Sequence, residues 1–376
     1  MAEEARKRID WLLVLFIAPI LLAGLATMKS FTPSEQMGDF FSKQALWVLV
    51  SLGVFFSFSF IDFRFLRKTK VLVSLFAVFS ALLAFVLVAE RAVNGAKSWL
   101  SLGAFSFQPA DFMKLALVLI FAKYFSRRHV EIKDIKHIFI SAFYALIPFA
   151  LILLEPDFGS ALIILLIWLG MVLVSGISKT HLFAVFGGGI LAFFLLWTFA
   201  FAPYQKARIA NFLNPLANIH GSGYNAYQST IAVGSGQMFG KGLGFGTQSR
   251  LEFLPEHETD FVFAAFAEEW GFIGSAILLV LYLLILWRIL YAASLASSNF
   301  DMLFCLGMAI YLGSHVLINA GMNMGLLPVT GIPLPFMSYG GSHLLAEFSG
   351  LGIMMSMRKY ARPAHRDDTK HEFLGI

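Results

Sequence analysis

The run VLVSLFAVFSALLAFVLVA, residues 71–89, contains no charged residue over nineteen positions. A helix rises about 1.5 Å per residue, so a run of this length crosses the roughly 30 Å hydrocarbon core of a bilayer. Its polar residues do not alternate with apolar ones as in the strands of a lipid-embedded barrel, and backbone groups in hydrocarbon must bond within their own segment. The run therefore reads as a transmembrane helix. Working outward in both directions, comparable runs occur at about 10–28, 44–61, 109–125, 138–154, 158–175, 181–201, 260–287, 302–320 and 342–357. The fold class predicted is all-α, a polytopic membrane helical bundle of about ten transmembrane helices, with 1–376 as a single integral membrane domain. Composition agrees: 58% of the 376 residues are hydrophobic and 14% charged, more apolar surface than a soluble core could hide.

A net charge of +5 suggests nucleic acid only until the basic residues are mapped. Of the 28 Lys and Arg, 19 fall in alternate connections and at the two ends, 8 in the opposite connections, and one, Lys114, within a span. The positive-inside rule then puts both termini in the cytoplasm and predicts no nucleic-acid partner. The first span is long for a signal h-region, and its flank TMKSFTPSE, residues 27–35, lacks a plain small-residue cleavage site, so it reads as retained. Cys305, the single cysteine, lies in an apolar run and excludes a disulfide framework. The polar tail, 361–376, reads as a short, disordered cytoplasmic segment.

The largest break in hydrophobicity, 203–259, is expected as a long extracytoplasmic loop. Such a loop is functional or disordered, and its aromatic and β-branched residues argue for function. Gly234, Gly236, Gly240, Gly242, Gly244 and Gly246 punctuate it, either as tight turns near a ligand or membrane surface or as a phosphate cradle, although no P-loop spacing is present.

Ionisable residues inside spans cost about 2.5–3.5 kcal/mol each on insertion scales, so they are expected in pairs. Asp111 and Lys114, three apart after Pro109, share a helix face and form either a structural ion pair or part of a site. Asp157, in Glu155-Pro156-Asp157, reads first as a helix cap. Glu268 and Glu269 read as structural, with one pairing to a neighbouring helix. Asp260 stands where the long loop becomes a helix, as either a cap or a catalytic carboxylate at the floor of an outward cavity; the helix N-terminus lowers its pKa while partial burial raises it. His257, His315 and His343 have no zinc-ligand spacing, and Ser338 and Ser342 lack a hydrolase elbow.

The motifs NGAKSWLSLG (94–103), FQPADFMK (107–114), GSGYNAYQSTIAVGSGQMFGKG (221–242), GTQSRLEFLPEHETDFVFAAFAEEWGFIG (246–274) and GLLPVTGIPLPFMSYGGS (325–342), in this order, closely resemble the SEDS family of shape, elongation, division and sporulation proteins. The resemblance covers nearly the whole chain. Division-type members share the core motifs, but FLNP (212–215) and GTQSRLEFLPE (246–256) look more like the elongation type.

That resemblance implies a peptidoglycan glycosyltransferase of cell elongation, polymerising lipid II at the outer face of the bacterial cytoplasmic membrane. It places the family's essential aspartate on Asp260, its outer-loop tryptophan on Trp99, its intramembrane lysine on Lys114 and a further acidic residue on Asp157. Asp111 replaces the family's usual Glu, one methylene shorter. Substrate-binding residues implied are Trp99, Asp111, Lys114, Asp157, Arg208, Gln228, Lys241, Gln248, Thr259 and Ser338. The chemistry needs a base for a sugar hydroxyl, the role of Asp260, and positive charge for departing phosphates, from Lys114, Arg208, Lys241 or Arg250. Alternatively a divalent cation, Mg²⁺ or Mn²⁺, held partly by Asp260, supplies that charge and makes Asp260 a ligand. Expected partners are lipid II and undecaprenyl-linked glycan, membrane lipids, the elongation machinery and a class B penicillin-binding protein, the cross-linking transpeptidase. Two rivals are a lipid II flippase or transporter, for which inverted repeats are lacking, and a scaffold that only recruits the transpeptidase.

Overall fold

The computed structural model describes residues 9–30, 40–89, 98–102, 105–127, 135–199, 201–214, 223–251 and 253–360. The basic cluster Arg6–Arg8, the segment 90–97, residues 215–222 and the tail 361–376 lie outside the described residues, as do the expectations that fall on them.

Among the described residues, ten long helices stand where the apolar runs predict them: α1 (Trp11–Ser30), α2 (Phe40–Phe60), α3 (Thr69–Ala89), α4 (Pro109–Ser126), α5 (Ile135–Leu154), α6 (Phe158–Val174), α7 (Lys179–Phe199), then α11 (Val262–Ser294), α12 (Asn299–Asn323) and α13 (Gly341–Lys359). Seven are long and apolar enough to cross a membrane. The other three are α6, at 17 residues, and α4 and α13, which carry ionisable groups. Physical placement explains the exceptions. Both α4 and α13 are buried on nearly every turn, so protein rather than lipid surrounds Asp111, Lys114, His343 and Glu347.

The segment expected as one long loop is structured. It holds α8 (Pro203–Leu213), α9 (Tyr224–Ser235) and the single turn α10 (Thr247–Arg250). A further departure from pure helix is a short antiparallel hairpin, β1 (Leu100–Leu102) with β2 (Phe105–Phe107), in which Ser101 pairs with Ser106.

In the bundle, α13 lies along α2, α11 packs on α12 and α1, and α12 packs on α4 and α6. By contrast α7 keeps none of its span buried. At one end, ion pairs lace distant helices together: Asp10 meets Arg288 at 2.8 Å and Arg358 at 2.7 Å, and Arg67 meets Asp301 at 2.7 Å. The opposite end gathers the hairpin, the 155–157 turn, α8–α10 and the 324–340 connection.

The glycines of 236–242 explain themselves here. Helix α11 breaks at Gly271, whose φ is 68° and ψ −167°. Residues 237–242 dock into the break: Lys241 N donates to Glu268 O and Gly242 N to Glu269 O, each at 3.0 Å, while Phe272 N donates to Gln237 O at 2.8 Å and Ile273 N to Met238 O at 3.2 Å. The broken helix thus recovers its backbone hydrogen bonds from the loop. Backbones touch at this point, since a Cβ on Gly271 would lie 2.3 Å from Gly240 N. The turn reading of these glycines accounts for Gly240 and Gly271 without a phosphate.

Candidate active site

Asp260 lies just before α11, half-buried at the end of the bundle that carries α8–α10. Its backbone is fixed from below. The carbonyl accepts from Asn319 Nδ2 at 2.9 Å and from Asn323 Nδ2 at 3.0 Å, and the amide donates to Glu256 O at 3.1 Å. Those asparagines are fully buried in α12 at a four-residue spacing, so both amides share one helix face. Asn319 also donates to Ile332 O at 2.7 Å and thereby ties Asp260 to the 330–340 loop.

That loop forms the near wall. Gly331, at φ 74°, brings its backbone beside the carboxylate: a Cβ there would lie 3.2 Å from Asp260 Oδ2. Ser338 Oγ donates to Thr259 O at 2.6 Å, and Tyr339 N donates to Glu258 O at 2.8 Å, so the segments before Asp260 and after Gly331 are stitched together. From the far side Arg208 of α8 donates to Thr330 O at 3.1 Å.

Burial, then the neighbouring Glu256 carboxylate, pushes the Asp260 carboxyl up to about 7; Arg208 opposes the shift, while Asp157 and Glu258 add to it. A carboxyl near 7 exchanges protons at physiological pH, as a general base must.

Other site candidates fall into three places. Asp157 caps α6 through Ser160 N at 2.9 Å and accepts from Gln108 Nε2 at 2.9 Å, beside Asp260's electrostatic reach. The cap expected from sequence is present, and the second oxygen adds a link to the hairpin that carries half-buried Trp99. Asp111 and Lys114 pair at 3.1 Å inside the bundle, both side chains almost wholly buried. Lys241 Nζ reaches Glu268 Oε1 at 2.5 Å, and Glu268 also accepts from Thr247 N and Gln248 N. Glu268 therefore pairs with the preceding loop, and Lys241 is engaged by it. Gln228 on α9 and Gln248 on α10 are half-buried, each with a carbonyl oxygen that has no hydrogen-bond partner among the described residues. Thr259 Oγ1 donates to Glu256 Oε2 at 3.2 Å, and Arg250 is exposed.

Glu155 is fully buried, and neither carboxylate oxygen has a hydrogen-bond partner among the described residues. Burial and then Asp157 push its carboxyl up to about 8. No three His, Cys, Asp or Glu side chains among the described residues converge as a cation site.

Residues that sequence reasoning did not single out include Asn319, Asn323, Gln108 and Glu347, and Ser342 was weighed only as a hydrolase nucleophile. The asparagine pair had a signal, two amides four apart in an apolar run. His343 was weighed only as a metal ligand; its contact with Glu347 follows from their four-residue spacing on one helix, whereas that with Asp111 depends on tertiary packing.

A profile of the FtsW, RodA and SpoVE family, described as cell cycle proteins, matches residues 7–363. The peptidoglycan glycosyltransferase MrdB of Escherichia coli K12 is 40% identical over 270 residues, 72% of each chain. Stage V sporulation protein E of Bacillus subtilis is 34% identical over 362 residues, covering 93% of this chain and 97% of that one. Among solved structures, a chain of a peptidoglycan synthase complex that coordinates polymerization and crosslinking superposes with a TM-score of 0.79 at 32% identity, over 94% of this chain and 99% of that one. The rod shape determining protein RodA of Thermus thermophilus superposes with a TM-score of 0.70 at 31% identity, over 94% and 98%.

Proposed function

The chain belongs to the FtsW, RodA and SpoVE family of cell cycle proteins, and on that premise we propose that it is a peptidoglycan glycosyltransferase that joins lipid II disaccharides into glycan strands at the outer face of the cytoplasmic membrane. The single observation that carries this reading is Asp260: a half-buried carboxyl near 7, backbone-anchored by two buried asparagines, with the Arg208 guanidinium close enough to oppose its shift.

Asp260 takes the proton of the acceptor sugar 4-hydroxyl as that oxygen attacks the anomeric carbon. The bond from that carbon to the lipid diphosphate breaks, and the electron pair leaves with the diphosphate. Attack from the face opposite the leaving group inverts the centre and needs no covalent intermediate, so no second catalytic carboxylate is required. A positioned base contributes about 10² to 10⁴ in rate. Arg208 is the cation we assign to the departing diphosphate, since its charge acts on Asp260, whereas Lys114 and Lys241 are paired with Asp111 and Glu268 and Arg250 lies exposed on α10.

An apolar cavity of about 530 Å³ between α5, α6 and α7, lined by Phe149, Leu162, Trp168, Val185 and Phe193, supports lateral entry of the polyprenyl tail. Phe158, next to Asp157, also lines it, so the groove runs toward the polar site. Keeping the tail in an apolar groove avoids a cost of about 0.8 kcal/mol per CH₂.

The orientation with both termini in the cytoplasm, a class B penicillin-binding partner and the elongation role belong to the same proposal. Supporting them are the charge asymmetry of the connections, the likeness to a chain of a synthase complex, and the segments 212–215 and 246–256. Purified protein given labelled lipid II, with and without the transpeptidase, is the test. Polymer from wild type and none from a folded Asp260→Ala variant is expected; translocation in liposomes without polymer would overturn the assignment. A tagged copy at the sidewall rather than the septum tests the elongation role.

A further inference from the structure

Behind the Asp260 wall, a string of buried side chains joins α4 to α13. Asp111 receives Lys114 Nζ at 3.1 Å and Ser342 Oγ at 3.1 Å, and Ser342 also contacts both the amide and the carbonyl of Gln108, the residue that holds Asp157. On the other side of Asp111 stands His343. Its Nδ1 lies 3.4 Å from Asp111 Oδ1 and its Nε2 lies 2.8 Å from Glu347 Oε1, ion-pair distances rather than aligned hydrogen bonds. The second oxygen of Glu347 accepts from Phe336 N at 3.0 Å.

Phe336 is the point where this matters. It is a non-glycine residue at φ 60°, a left-handed conformation that persists only when its surroundings hold it. Three buried side chains grip the backbone here: Glu347 at Phe336 N, Tyr282 at Pro335 O (2.5 Å) and His315 at Pro333 O (3.2 Å). The same loop carries Gly331, Ile332 and Ser338, which abut or anchor Asp260 and Thr259. His315 lies against His343, with ring centroids 4.7 Å apart and the planes tilted by 33°.

We infer that His343 and Glu347 are positioning residues: the buried relay Asp111–His343–Glu347 mechanically couples the Lys114 and Asp157 half of the site to the strained loop that walls Asp260. Two buried carboxylates flanking one ring call for a cation between them, and the imidazolium supplies it beside Lys114, leaving the four-residue cluster neutral. Removing the ring leaves Asp111 and Glu347 to repel one another, and Glu347 then loses its hold on Phe336.

This rests on the glycosyltransferase reading above, and the test separates the two. His343→Gln, Glu347→Gln and the double variant of the full chain are compared by lipid II polymerisation and by thermal melting. The expected result is a kcat about tenfold lower in each single variant, with KM for lipid II within about twofold. The double variant should lose no more than the worse single, because the pair acts as one unit. Melting shifts should be non-additive in the same way. Should His343→Gln fail to fold, His343→Asn, which keeps an amide toward Asp111, takes its place. Losses that multiply in kcat and add in melting temperature, or unchanged kcat per folded molecule, would overturn the relay. A wild type that makes no polymer while Glu347 and His343 still couple in melting would sink the activity reading and leave the relay standing.

Discussion

Asn319 of α12 and Asp260 at the start of α11 are joined through the backbone rather than through the carboxylate: the amide nitrogen lies 2.9 Å from the Asp260 carbonyl. The catalytic candidate is thus anchored while its side chain stays available to substrate. Asn319→Ala leaves the Ile332 carbonyl without its donor, at about 1–3 kcal/mol for an unsatisfied group, while the Asp260 carbonyl keeps only Asn323. Thermal melts in detergent are expected to show that loss, with kcat falling more than KM changes.

Asp260→Asn should abolish polymerisation and still raise stability at alkaline pH. The folded pKa of about 7 lies above the usual 3.8. The folded state therefore holds a proton that the unfolded chain releases, and stability falls as pH rises from about 4 to about 7. The substitution removes that dependence, so a melting temperature about 2–4 °C above wild type at pH 8 is expected. In the wild type, polymerisation rate should climb through pH 7 to a plateau; a rate that is flat from pH 5.5 to 8.5 would exclude Asp260 as base.

Glu155→Gln tests a carboxyl that is buried and pushed up to about 8. The sign is the same: below its usual value of 4.5 both states are protonated, and between there and 8 the folded protein progressively bears the cost of an ionised, unpartnered group. Melting from pH 5 to 9 should slope downward in wild type and flatten in the variant.

Gly271→Ala should be among the most damaging single methyl additions in the chain. The new Cβ would meet Gly240 N at 2.3 Å and the backbone would be held at φ 68°. Neither the docked 237–242 loop nor the broken helix can retreat without losing the four hydrogen bonds between them. A loss beyond about 3 kcal/mol, read as failure to purify a monodisperse protein, is expected.

How the carboxylates are partnered was only half legible beforehand. Asp111 and Lys114 pair as their three-residue spacing demands, because a helix face is a local property. Glu268 pairs with Lys241, 27 positions earlier, and no periodicity announces that. The same holds for Asp10 with Arg358, 348 positions apart.

From residues alone, the apolar runs determined a membrane bundle and the places of its ten helices, since length and hydropathy act segment by segment against lipid. Motif order determined the family, and the loop-to-helix boundary drew attention to Asp260. Tertiary structure decided what those pieces do together: that 203–259 holds the helices α8–α10, that a glycine loop repairs the break at Gly271, and that Asn319, Gly331 and Arg208 meet around Asp260. Burial is the physical reason. A side chain's cost and chemistry depend on what distant segments bring to its low-dielectric surroundings, and that is fixed only when the helices pack.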